Sequence, residues 1–271
     1  MRRNSLFWGS LILIAGLFLL VKNLFPNLFN GVNVWDIIWP LAIVFIGVSM
    51  LMGPIIGRRN LETQAVSVPL ENASDGDVRL SHGAGRLSVR AAGTPGVLLS
   101  GTCVGGADVN VSRSGPSTRV NLKSRAGDYW FSFPNFQGPY GGGYSWDLNL
   151  TPEIPLRLLL ETGASESNLD LRDLKLTDLE VKTGASSTVV TLPANAGMTR
   201  VKISSGAASV KLYLPEWVAG HIRVQSGLAG IHIDPNRFPA TAGGYETPGY
   251  ASAANKAYIF VETGVGSVEI R

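Results

Sequence analysis

The chain has 271 residues, of which 45% are hydrophobic, 16% charged and 32 glycine, which excludes a disordered chain and leaves room for a full core plus a membrane element. The net charge of +3 resides in the N-terminal segment: Arg2, Arg3, Lys22, Arg58 and Arg59 precede residue 60, against Asp36 as the one acid there. The remainder is near neutrality with no basic run, which argues against a nucleic-acid partner, and the single Cys103 excludes an internal disulfide or a cysteine-based zinc site.

Residues 1–59 carry two apolar runs, about 6–25 and 35–56, each of the roughly 20 residues that a helix needs to cross hydrocarbon. Trp8, Trp35 and Trp39 sit near the run ends, where amphipathic rings favour the headgroup level. A cleaved signal peptide is the competing reading of the first run, but no small-residue cleavage site precedes the second. The expectation is a transmembrane hairpin held in lipid. Lys22 and Asp36 fall toward its turn, where a lysine can snorkel and an aspartate can sit among headgroups. Arg2 and Arg3 at one end and Arg58 and Arg59 at the other place both ends in the cytoplasm by the positive-inside rule. The protein is thus expected in the cell membrane, multi-pass, with residues 60–271 on the cytoplasmic side.

From residue 60 onward apolar and polar residues alternate, as in VRLSHGAGRLSVRA and SSTVVTLP, and the segment reads as all-β. A small-residue turn recurs as ETGAS, KTGAS, SSGAA, QSGLA and ETGVG, with glycines Gly163, Gly184, Gly206, Gly227 and Gly264; Gly83 occupies a similar turn upstream. The first spacings are about 21 residues, and the last is longer and holds an insertion. Prolines close several units, at Pro193, Pro215 and Pro235. A repeat of this length suits a β-solenoid whose coils turn at glycine and pair with the coil above; a β-sandwich with recurring hairpins is the alternative.

Two stretches interrupt the alternation. The insert at about 126–146 crowds Tyr129, Trp130, Phe131, Phe133, Phe136, Tyr140, Tyr144 and Trp146 among Gly and Pro, and a milder one spans about 234–256. Both read as loops. The aromatics are candidates to touch a partner or the membrane interface, or to cover an open solenoid end.

Chemistry-bearing constellations are sparse. His82, His221 and His232 are far apart in sequence with no HExxH motif, the glycine turns lack a following Lys-Ser or Lys-Thr, and there is no G-x-S-x-G. Cys103 follows an apolar strand and reads as a small core residue. No catalytic residue, cofactor or metal is expected, and the protein is read as a non-enzyme.

Three stretches resemble one family. WDIIWPLAIVFIGVSMLM, from Trp35, is similar to the transmembrane region of LiaI/LiaF-type proteins. Ala65–Thr102, with Gly83 and Gly85 in a Gly-x-Gly turn, and Trp146–Pro193, with its Pro-Leu then Gly-Ala pattern, resemble the DUF2154-type toast-rack domain of LiaF-like, cell-wall-active-antibiotic-response proteins. The resemblance implies a toast-rack β-domain and a bacterial envelope-stress role, in which the protein contacts a membrane histidine kinase and restrains a two-component response. It brings no catalytic residues. A scaffold that self-associates through solenoid ends is the alternative function.

Overall fold

The computed structural model describes residues 62–92, 94–125 and 144–271. The hairpin expected over 1–59 and residues 126–143 of the aromatic insert lie outside them. Among the described residues no helix is long and apolar enough to cross a membrane.

Among the described residues thirteen strands form one continuous sheet. They are β1 (Thr63–Pro69), β2 (Asp75–Ala91), β3 (Val97–Val104), β4 (Ala107–Ser114), β5 (Ser117–Ser124), β6 (Ser145–Leu150), β7 (Pro155–Asp170), β8 (Lys175–Thr191), β9 (Met198–Tyr213), β10 (Ala219–Ile233), β11 (Ala240–Thr241), β12 (Gly244–Glu246) and β13 (Lys256–Ile270). The all-β expectation holds, and a 3-10 turn at Tyr250–Ser252 is the one helical element described.

The long strands cannot be straight. β7 has 16 residues and would extend roughly 50 Å, yet residues 171–174, reaching about 14 Å at most, return the chain to where Lys175 of β8 pairs with Pro155 at the start of β7. Each long strand is therefore two arms folded back at its glycine. Side-chain parity records the fold: Leu156, Leu158 and Leu160 are buried on the first arm of β7, and Ser165, Ser167 and Leu169 on the second. A straight strand would keep one parity throughout. In β9 the same slip separates Val201 and Ile203 from Ala208, Val210 and Leu212. The core lies between the arms, where each fully buried Leu, Ile or Val contributes roughly 1.5–3 kcal/mol.

The parallel stack runs β2, β7, β8, β9, β13, β10. This departs from the expected coil-on-coil order, because β13, last in sequence, lies between β9 and β10. The physical reason is reach: residues 214–218 can span roughly 15 Å, enough to carry the chain past one strand width of about 4.8 Å and leave a slot that β13 fills. Backbone bonds from Leu214 N to Arg271 O (2.8 Å) and from Asp234 N to Ile270 O (3.3 Å) hold β13 in that slot.

The two ends of the stack are finished differently. At the β2 end, the first arm pairs with β5 and then β4, while the second pairs with β6, then β3 and β1. At the β10 end the segment expected as a loop over 234–256 contains β11, β12 and the 3-10 turn. Phe238 from this segment is fully buried, and the Arg237 guanidinium donates to the carbonyls of Leu214 (2.7 Å), Pro215 (2.5 Å) and Val218 (3.1 Å).

Candidate functional site

The register brings the repeated turns into one row. Gly83, Gly163, Gly184, Gly206, Gly264 and Gly227 stack from β2 to β10, each at the bend of its strand. Close approach makes the residue type necessary at Gly163, where an added Cβ would lie 2.5 Å from the carbonyl oxygen of Gly83. Beside the glycines runs a groove of about 840 Å³.

Its floor is the last inward position before each bend: His82, Thr162, Thr183, Ser205 and Thr263. Thr162 donates to Thr183 at 2.9 Å, whereas Ser205 Oγ and Thr263 Oγ1 have no hydrogen-bond partner among the described residues. On the facing arm Ser165 and Ser167 (3.2 Å) and Ser186 and Thr188 (3.2 Å) bond pairwise. His82 is buried with its ring tilted at 49° against Trp146, centroids 4.8 Å apart; neither ring nitrogen has a hydrogen-bond partner among the described residues, and burial pushes its imidazole down to about 4. On the rim Lys182 lies 3.8 Å from Glu161 and 3.2 Å from Glu180, exposed pairs of modest worth.

The described flanks of the aromatic insert lie beside this corner row. Lys123 of β5 pairs with Ser81, and Ser145 of β6 pairs with Arg86. Residues 82–85 turn the corner in β2, and the described flanks of the insert pair with β2 on either side of that bend. Of its candidate contact residues, Tyr129, Trp130, Phe131, Phe133, Phe136 and Tyr140 lie outside the described residues. Tyr144 is half-buried at the return, its carbonyl accepting from Arg86 N at 2.9 Å. Trp146 is a core residue, 1% exposed, and offers no surface to a partner. The alternation of SWDLNL, which places Trp146 in phase with Leu148 and Leu150, carries that signal in the sequence.

The histidines do not converge. His221 Nδ1 donates to Glu246 at 2.5 Å and its ring stacks on Tyr258 at 5.3 Å, while His232 is exposed on the second arm of β10. Sequence reasoning missed the His221 and Glu246 pair because Glu246 comes from the segment read as a loop. Among the described residues no three His, Cys, Asp or Glu side chains gather as a metal site. Cys103 is buried, and burial pushes its thiol up to about 11.

The feature that sequence did not expose is the second arm of β10. Ile231 is 36% exposed where its row-mates Val268 and Val210 are buried, and Leu228, in the exposed corner row, is 82% exposed. The signal was QSGLA itself, which carries leucine at a position filled by alanine in the three preceding units.

A crystal structure of a candidate cell adhesion protein from Clostridium sporogenes ATCC 15579 is similar at TM-score 0.67 and 19% identity, covering 78% of this chain and 98% of that one. A candidate adhesin from Bacteroides fragilis NCTC 9343 aligns at TM-score 0.26 and 10% identity, over 79% and 98% of the two chains. No curated protein sequence matches. The family model for the N-terminal domain of toast_rack, DUF2154, matches residues 57–213, more than half of the chain. This chain is a member of the toast-rack family.

Proposed function

We propose that the protein is a membrane-held, non-enzymatic contact module: a stacked β-domain that presents fixed surfaces to other proteins. The observation that carries this reading is the row of stacked glycine bends, beside which the described flanks of the aromatic insert, Lys123 and Ser145, are held in register with β2. The similar Clostridium structure, named for cell adhesion, is consistent with work by contact and identifies no partner.

Membrane tethering rests on the two apolar runs and the cytoplasmic side on the flanking arginines. The regulatory form, restraint of a membrane histidine kinase in envelope stress, rests on the LiaF-like resemblance. Photo-crosslinking of the full chain in native membranes from Trp130 or Tyr140 is expected to recover a membrane protein partner. Recovery of lipid alone from both positions would overturn the contact reading, and an unchanged stress response after gene deletion would overturn the regulatory form. A reporter fused after Arg271 that is active only outside the cell would overturn the cytoplasmic placement.

A further inference from the structure

The C-terminal end of the stack is closed on one arm only. On the first arm of β10, β12 pairs with His221 and Ile222, and β11 adds a further strand. Along the second arm, from Leu228 to Ile233, β13 is the one neighbour among the described residues, so the far edge carries unpaired backbone N–H and C=O groups.

The core rows run out at this edge. Leu87, Ser167, Thr188, Val210 and Val268 are buried in successive strands, and the row ends on Ile231 at 36% exposure. In the corner row, Val265 at 53% and Leu228 at 82% replace the alanines of the inner strands. At the far end of the arm the turn 214–218, gripped by Arg237, presents Trp217 at 66%.

The remaining sheet edges carry features that discourage pairing. β4 has Asp108 and Arg113, engaged by Arg125 (3.1 Å) and Glu71 (2.9 Å). β1 ends at Pro69 with a register irregularity, and β11 has two residues. The second arm of β10, LAGIHI, has no Asp, Glu, Lys, Arg or Pro.

We propose that this edge pairs with the same edge of a second copy, antiparallel about a two-fold axis, so that two sheets continue as one. The proposal rests on the contact-module reading and names one partner. An uncharged edge gives a chemically different partner nothing electrostatic to recognise. An identical strand meets it without burying a charge, and two-fold antiparallel pairing satisfies donors and acceptors in both directions at once. Ala229 and Gly230 let the backbones approach. The covered first arm confines the contact to the second, and association stops at two copies.

The test uses the full chain in nanodiscs. Cys103 is buried, so His232→Cys on the open edge supplies the reactive thiol. A bifunctional maleimide should give a dimer from His232→Cys and none from Ser112→Cys on β4. Leu228→Lys, at a position exposed enough to keep the fold, should weaken the dimer at least about tenfold by light scattering, because each copy would bring a charge to an edge that pairs only while uncharged. A monomeric wild type, a ladder of larger species, or a dimer indifferent to Leu228→Lys would overturn the proposal. A photo-crosslink from position 228 to a different protein would overturn self-pairing and leave the contact reading standing. Dimerisation with only lipid captured from Trp130 and Tyr140 would do the reverse.

Discussion

At the scale of single residues, the corner glycines are not equivalent. A Cβ at Gly163 would stand 2.5 Å from the Gly83 oxygen, and at Gly206 3.2 Å from the Gly184 oxygen. Gly163→Ala should cost about 1–3 kcal/mol and Gly206→Ala under about 1 kcal/mol in urea denaturation, since a few tenths of an ångström of give relieves the second. Gly266→Ala should cost most, because it combines φ +131° with a Cβ 1.9 Å from the Ala208 oxygen. His82 sets a pH dependence. Its folded-state imidazole lies near 4, below the ordinary 6.5, so the unfolded chain binds the extra proton first as pH falls. Its contribution is complete above about pH 6.5 and is lost progressively down to about pH 4, on the order of 3 kcal/mol in all. His82→Phe, which can still pack on Trp146, should flatten that part of a stability-versus-pH curve.

Elements were legible where side-chain period speaks and illegible where pairing decides. The alternation in SNLDLRDLKLTDLEVKTG and the recurring glycines marked strands and bends. Nothing local marked Phe238 as buried, because its burial comes from packing beside Leu214 over Gly220 of β10, residues 18 and more away in sequence. The flanks of the aromatic insert resisted placement for a similar reason: that they lie on either side of the bend at residues 82–85 appears only in the register of β5 and β6 against β2. The element with the clearest measurable role is the cover over the first arm of β10. Phe238→Ala should cost about 3–5 kcal/mol through the cavity it leaves. Arg237→Ala should remove the guanidinium donor from three carbonyls, of which Pro215 keeps the Val218 N–H, raising amide exchange in the turn 214–218 before exchange rises in the inner strands.

At the scale of the whole molecule, the order of strands changes what the repeat means. In a solenoid whose coils follow chain order, the last coil is an end and can be trimmed at the cost of one interface. Here the last strand is interior: β13 pairs with β9 on one side and β10 on the other along nearly its full length, and Ala257, Ile259, Val261, Val268 and Ile270 are all buried. Folding must therefore bring the C-terminal strand back into a slot prepared by β9 and β10, a non-local step that closes late and cooperatively. A stop codon before Lys256 should not yield a shorter rack. It should leave β10 without its neighbour and the β9 edge bare, with collapse of the second half of the domain. The measurement is limited proteolysis of the truncated chain: rapid cleavage through β9 and β10 is expected, and a protected fragment ending near Ile233 would show that β10 holds its place without β13.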